Sequence, residues 1–518
     1  MICFDTEDDS CGNVKIINFF DGVNHRTYRG KDCRYKSWAY LHEKAPAIFW
    51  ACNLGYDLVN LFGPWLGKVV TLQYVKAGLM RGSFRECQIT FLDTLRHWPA
   101  TVERMGKMIG LPKLEMPHLG CECDDCVDYC RRDTEITWRF VYEMVERYKA
   151  LGLFTVRSTL PAMALQLFKE FYPKDFTEVD DYHLDLMRKG YYGGRVEIFQ
   201  MGKINGVINH YDVNSLFPSV MANRTFPDPV SMTLTQKPDL KKEGIFEGQV
   251  YIPRVEIPCL PVRDSELIFP YGTVKGSWPY PEIRQLLEDG GKIIECRQAI
   301  EFDEVEEPFT EYVKFCYQKR LESTNLLDKE IWKLFLNSLY GKFGQGSELE
   351  IIFNDESKII KGKARHVNII WSAYVTSYAR LRLLDYLRSC DSLFYTDTDS
   401  IFTFDNLSVS SRLGDLKKEG TYSQVEFKGN KLYCLDSTVR AKGVPRKNQA
   451  EFFHQGKVTY RRPIKFKEGR KRGLQPNVWH DMTKENNKEY TKRKILEDGS
   501  TEPWNISEYR QRVREGII

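Results

Sequence analysis

Apolar and polar positions alternate through Leu393-Phe394-Tyr395-Thr396-Asp397-Thr398-Asp399-Ser400-Ile401-Phe402, which predicts a β-hairpin with apolar flanks and an acidic centre. Strand alternation would put Asp397 and Asp399 on one face, with Thr398 pointing away. The run Val207 to Pro218 is also strand-like and reaches Asp212 just before a turn. At the start of the chain, Met1 to Glu7 predicts a strand carrying Asp5 and Glu7 on one face. Asn53-Leu-Gly-Tyr56-Asp57 follows an apolar run, and Tyr129-Cys-Arg-Arg-Asp133 begins a helix. From Lys329 to Gly344 the period changes to that of a helix, where Lys329, Lys333, Asn337 and Tyr340 form a polar stripe on an otherwise apolar surface.

These elements carry chemistry. Two carboxylates as close as Asp397 and Asp399 repel each other unless a cation neutralises them, and hard oxygen ligands select Mg²⁺ or Mn²⁺. Asp212 is the candidate to complete that site. A lysine and an aromatic ring on one helix face suit a nucleoside triphosphate, and Gly341 admits a close approach. Asp5, Glu7, Asp57 and Asp133, with Tyr129, would gather around two metals able to activate a water and stabilise a leaving 3′ oxygen, as phosphodiester hydrolysis requires. Each pattern alone has a plainer reading, as a polar turn or a solvated helix face. Their order along one chain favours the chemical one.

The motifs DVNSLFP, KLFLNSLYGKFG and YTDTDS resemble, in order and spacing, motifs A, B and C of family B DNA polymerases. DxE, NxxYD and YxxxD resemble the exonuclease motifs of the same family. The resemblance implies a multidomain α/β fold, an RNase H-like 3′–5′ exonuclease domain followed by a right-hand polymerase of palm, fingers and thumb. It also implies Asp212, Val213 and Asp399 as metal contacts, with Asp397 a supporting acid, and two Mg²⁺ or Mn²⁺ ions per site. Lys329 and Lys333 would meet the incoming dNTP, while Ser215, Leu216, Asn337, Tyr340 and Tyr395 line its pocket. Phe217 falls where the family places a steric gate, usually Tyr, against a ribose 2′-hydroxyl. In the exonuclease, Asp5, Glu7, Asp57 and Asp133 match the metal ligands, Tyr129 the residue that orients water, and Asn53 and Tyr56 the contacts to single-stranded DNA. A basic assistant to that site is expected near Lys113.

Within the family the chain is similar to the small, protein-primed phage and plasmid type. Tyr191-Tyr192-Gly193-Gly194 resembles its YxGG element and Lys431-Leu-Tyr433 its KxY grip on the primer, while Lys442 lies in a basic run suited to duplex phosphates. The implied layout is exonuclease over 1–178, palm over 179–225 with YxGG and motif A, and a reduced counterpart of the terminal-protein insertion over 226–304. Fingers follow over 305–345, a short second insertion over 346–366, palm again over 367–460, and thumb over 461–518. A terminal protein primer is thus one implied partner, beside primer-template DNA, single-stranded DNA and dNTPs. Conventional priming, an exonuclease without synthesis and a non-catalytic binding protein are the alternatives. Reverse transcriptases are disfavoured because their YxDD signature is absent.

Composition refines the picture in three places. With 518 residues, 42% of them hydrophobic, the chain can bury several cores, and no apolar run is long enough to span a bilayer. The net charge of +4 hides an asymmetry: from Lys431 onward 21 Lys and Arg face 11 Asp and Glu, a balance of +10 against −6 for the preceding residues. A basic terminal region beside metal-binding acids suits a thumb that holds duplex phosphates, and Trp479, Trp504 and the alternation around Val478 and Ile495 predict that it is folded. The 14 cysteines are not arranged as a secreted disulfide framework, so a reducing, cytoplasmic compartment is expected. A monomer is also expected. Cys121, Cys123 and Cys126, with His118 ahead of them, lack the paired spacing of common zinc ribbons. Reduced thiols on a surface loop are the expectation there, with zinc the alternative.

Overall fold

The strand Ile2–Asp8 feeds two cores at once, because its side chains alternate. Ile2 and Phe4 pack with Ile17, Phe19, Phe49 and Phe91 on one side, while Cys3 joins Ile136 and Phe140 of the helix Asp124–Ala150 on the other. Asp5 and Glu7 share the side of that helix. Val14–Phe20 and His25–Arg29 continue from the first strand as an antiparallel meander. Ile48–Ala51 pairs parallel with the first strand and with Ile89–Asp93, so helical crossovers cover the sheet. This computed structural model describes residues 1–518 apart from 76–77, 119, 347, 362–367 and 487–488.

A long-range pairing enlarges the amino-terminal sheet. The strands Glu348–Phe353 and Glu356–Lys361 form a hairpin whose first strand pairs antiparallel with Val70–Val75, with Ile351 opposite Gln73. The sheet therefore has nine strands, two of them contributed by the stretch expected as a second insertion. Residues 347 and 362–367 of that stretch lie outside the described residues. From the far side the hairpin is gripped by the carboxy-terminal segment, through a Lys467–Glu350 ion pair and an Arg470 to Asp355 contact of 3.2 Å.

The second large sheet has seven strands, centred on Gly202–Val213, which lies between Leu416–Gly429 and Ser400–Thr403. The region 226–304 folds as a four-stranded antiparallel sheet, with the helix Tyr280–Glu288 packed on it. The helix Ile369–Arg388, buried along most of its length, packs against the helix Tyr280–Glu288 and the strand Gly272–Pro279 of that sheet. Its Arg380 is 3% exposed and makes paired hydrogen bonds to Glu282, while the remaining guanidinium nitrogen donates to the carbonyls of Tyr192 and Gly193 at 2.9 Å each. One buried ion pair thus fastens the YxGG backbone to the core.

Removing one partner of such a pair leaves the other charge buried alone, at a cost of about 3–5 kcal/mol. Arg380→Ala is therefore expected to lower the midpoint of urea unfolding clearly, while Arg188→Ala, on the surface end of another helix, leaves it close to wild type. Equal midpoints for the two variants would contradict this account.

Candidate active sites

The amino-terminal acids converge from separate elements. Asp57, 2% exposed on the helix Leu54–Phe62, accepts a 2.7 Å hydrogen bond from Thr6 Oγ1, which locks it beside the strand carrying Asp5 and Glu7. Thr6 in turn accepts from Asn60 Nδ2 at 3.1 Å, and Asn60 Oδ1 accepts from Asn477 Nδ2 at 2.9 Å. Asp133, 4% exposed, is ion-paired with Lys113, whose ammonium stands 4.4 Å from the ring centre of Tyr129. Asp5, Glu7 and the Cys130 sulfur lie within 4.8 Å of one another. Lys113, near which a basic assistant was expected, contacts Asp133 and the Tyr129 ring. Asn53 is exposed at the helix start in a left-handed conformation, and the Tyr56 hydroxyl is bonded to Asp8.

Burial and mutual repulsion load this cluster. Burial, followed by the charge of Asp133, pushes Asp5 up to about 7, and burial, Asp5 and Asp133 push Glu7 up to about 9. Burial also raises Asp57 well above the carboxylate range. Asp133 is raised by burial as well, with Lys113 pulling the other way. Its Oδ1 is buried and has no protein partner among the described residues. A crowded set of four carboxylates with an unsatisfied oxygen, beside the protonated Cys130 thiol that burial holds well above its usual range, fits hard divalent cations.

The second acidic site sits on the seven-stranded sheet. Strand Leu393–Asp397 ends at Asp397, Thr398 turns with φ of +68°, and Ser400–Thr403 returns, pairing Ser400 with Asp212 of the central strand. Asp399 therefore occupies the turn and is not a strand residue sharing a face with Asp397 by alternation, as the pattern predicted. Its carbonyl accepts from the Val213 N–H at 2.7 Å, which ties the turn to the end of the Asp212 strand. Burial, then Asp212 and Asp397, raise Asp399 to about 6. Asp397 is paired with Lys431 at 2.8 Å, so the KxY lysine meets an acid of the hairpin. Here too the donors are carboxylate oxygens, suited to the same class of ion.

Around this centre the remaining expectations separate. Phe217 and Tyr340 stack face to face, 4.6 Å between ring centres and 8° between planes. Ser215, left-handed at the start of the helix Leu216–Asn223, accepts from Arg320 at 3.3 Å, and the Leu216 side chain is buried. Lys329, Lys333 and Asn337 are exposed along the helix Leu326–Ser338, which breaks before Tyr340. Tyr395, expected to line the substrate pocket, is instead fully buried against Phe427 and Tyr433. Its hydroxyl lies 3.4 Å from Asp397 and accepts from the Lys431 N–H at 3.1 Å, which makes it a support for the hairpin. Tyr433 is half-buried in the same aromatic cluster and Lys442 is exposed.

The glycines of YxGG have distinct surroundings. A Cβ at Gly194 would stand 2.9 Å from Thr398 Cγ2, whereas one at Gly193 would meet no atom within 4 Å. Gly194 is thus needed for contact with the acidic hairpin, and Gly193 leaves open space. Tyr191 packs on Gly344, where a Cβ would come 2.7 Å from its ring. Sequence reasoning missed His210, whose Nε2 is 3.5 Å from Asp212, although its position two residues earlier on the same strand was a signal. It also missed Arg320, Arg380 and Asn477, which reach their sites from distant segments and carry no local signal.

A model of the DNA polymerases of type B, organellar and viral, matches residues 123–405, more than half of the chain. The chain belongs to this family. A DNA-directed DNA polymerase of Enterobacteria phage PRD1 is 25% identical over 480 residues, covering 83% of the chain and 82% of the relative. A probable DNA polymerase of Podospora anserina is 29% identical over 336 residues; the chain spans 28% of that relative's length, and 40% of a probable DNA polymerase of Agaricus bitorquis. Phi29 DNA polymerase complexed with primer-template DNA superimposes with a TM-score of 0.76 at 16% identity, covering 94% of this chain and 99% of that one. The chain therefore has the multidomain α/β fold of the family, an RNase H-like amino-terminal domain followed by a right hand.

The raised carboxylates make a signed prediction. Their folded pKa values lie above the unfolded ones, so in metal-free protein the folded state holds protons that the unfolded chain has released, and stability falls as pH rises through the window. For Asp5 that window runs from about 4 to 7 and for Glu7 from about 4.5 to 9. Between pH 5 and 8 the thermal midpoint of metal-free wild type should drop further than that of an Asp5→Asn/Glu7→Gln variant, and Mg²⁺ should restore more at pH 8. Parallel pH profiles for the two proteins would refute the repulsive cluster.

Proposed function

We propose that the chain is a template-directed DNA polymerase with 3′–5′ proofreading exonuclease activity. The observation that carries this reading is the coexistence, in one chain, of the Asp212/Asp399 centre beside a stacked Phe217–Tyr340 pair and a second carboxylate cluster equipped with Tyr129 and Lys113. A binding protein or a nuclease alone would have no need of both.

Asp212 and Asp399, with the Val213 carbonyl, would hold two divalent ions, Mg²⁺ or Mn²⁺, and Asp5, Glu7, Asp57 and Asp133 would hold those of the exonuclease. When bound, such ions activate the attacking oxygen and stabilise the leaving one. In synthesis, Lys333 and Lys329 offset charge on the departing pyrophosphate. Phe217, backed by the Tyr340 ring, closes the space a ribose 2′-hydroxyl would need. Lys431 holds Asp397 in place and keeps the hairpin beside the primer terminus. In degradation, Tyr129 orients the water, the Lys113 ammonium restrains Asp133, and Asn53 and Tyr56 face the frayed strand. Sequence comes from the template, so the basic carboxy-terminal region reads backbone and shape.

The layout assigns 1–178 to the exonuclease, 179–225 and 367–460 to the palm, 305–345 to the fingers and 461–518 to the thumb. The sheet of 226–304 is the surface we assign to a terminal protein, whose hydroxyl would start synthesis. The alternative, a conventional primer, is separated by an extension reaction containing template and dNTPs with or without such a protein.

Asp399→Ala is expected to abolish primer extension and leave 3′ trimming intact, whereas Asp5→Ala with Asp57→Ala does the reverse; gel assays of a mismatched primer read both. Near-normal extension by Asp399→Ala would overturn the assignment. Phe217→Ala should narrow the preference for dNTP over NTP by roughly 10–200-fold or more, the discrimination a pocket achieves over a single methylene. An unchanged ratio of kcat/KM values would exclude Phe217 as the gate.

A further inference from the structure

Cys121, Cys123 and Cys126 stand apart from both acidic sites. Cys123 is the residue that caps the amino end of the helix Asp124–Ala150, and Cys126 lies in its first turn. The sulfurs of Cys123 and Cys126 are 3.5 Å apart, the Cys123 N–H donates to Cys121 Sγ at 3.3 Å, and all three sulfurs lie within 4.8 Å of one another. Two thiolates bound at about 2.3 Å to one tetrahedral ion stand about 3.8 Å apart, close to the spacing found. The next cysteine, Cys130, turns away and directs its sulfur at Asp5. Reduced thiols on a surface loop were expected here; the thiols are free, but Cys126, on the helix, is 4% exposed in a small cluster with Ile16 and Val127, and the half-buried Cys121 and Cys123 close over it.

We propose that Cys121, Cys123 and Cys126 bind a zinc ion. Three thiolates select a soft, tetrahedral cation over the magnesium suited to the carboxylates. The fourth position is taken by water or by the imidazole of His118, whose carbonyl already lies 3.4 Å from Cys126 Sγ. The three thiolates and Zn²⁺ carry a net charge of −1, which the helix amino terminus favours. Arg29 adds to this by reaching the Glu122 carbonyl at 3.5 Å and the Asp124 carboxylate at 2.7 Å. The ion would fasten the first turn of the helix that carries Tyr129 and Asp133.

The test is metal analysis of the full chain, purified without chelator and passed over a chelating resin. The expected result is one zinc per chain in wild type and at least tenfold less in Cys121→Ser/Cys123→Ser, with primer extension as the check that the variant is folded. Cobalt exchanged into wild type should give a thiolate-to-cobalt charge-transfer band and the visible spectrum of a tetrahedral site, a readout that stands even if the variant fails to fold. Wild type free of zinc and giving no such cobalt spectrum, zinc retained in the variant, or a Cys123–Cys126 disulfide found by mass spectrometry of protein kept under reducing conditions would each overturn the proposal.

Discussion

Acidic groups held close together in partly buried ground are the constraint on which this structure depends. Asp5, Glu7, Asp57 and Asp133 would separate if their supports could move, and the same holds for Asp212, Asp397 and Asp399. The fold resists this by rooting each acid in a rigid element. The strand of Asp5 and Glu7 is pinned between the aromatic cluster of Phe4, Phe19, Phe49 and Phe91 and the helix of Ile136 and Phe140. Asp399 is held by a backbone bond to Val213, and Asp397 by Lys431 and the buried Tyr395. Repulsion stored in this way is what divalent cations at either centre would relieve.

The two centres are also mechanically joined. The hairpin Glu348–Phe353/Glu356–Lys361 extends the amino-terminal sheet while Lys467 and Arg470 grip it from the carboxy-terminal side. Asn477, 2% exposed, reaches the same sheet through Asn60, Thr6 and Asp57. A carboxy-terminal residue thus belongs to the hydrogen-bond chain that orients an amino-terminal acid. Arg380 plays the corresponding part in the right hand, connecting the YxGG carbonyls to Glu282 beneath the four-stranded sheet.

Much of this was legible in the sequence, for local reasons. An uninterrupted strand made the shared face of Asp5 and Glu7 readable from alternation, and helical spacing exposed the stripe of Lys329, Lys333 and Asn337. The acidic hairpin was recognised, but the place of Asp399 within it was misread. Thr398 adopts a left-handed conformation that β-branched residues seldom take, so the strand stops earlier than its pattern suggests. Tyr395 was placed in the pocket by the family resemblance alone, whereas its strand turns the side chain into the core. The pairing of the 348–361 hairpin with Val70–Val75 was hidden because it is made by backbone groups at a sheet edge, which accept many sequences. Arg380, Asn477 and the Lys431–Asp397 pair depend on contacts between distant segments, where spacing carries no information.

The most direct test of the central claim is a crystal of the protein soaked in Mn²⁺ and measured at the manganese absorption edge. Anomalous peaks cradled by Asp212 and Asp399, and separately by Asp5, Glu7, Asp57 and Asp133, are the predicted result. Manganese bound elsewhere, with Asp212 and Asp399 too far apart to share an ion, would contradict the account.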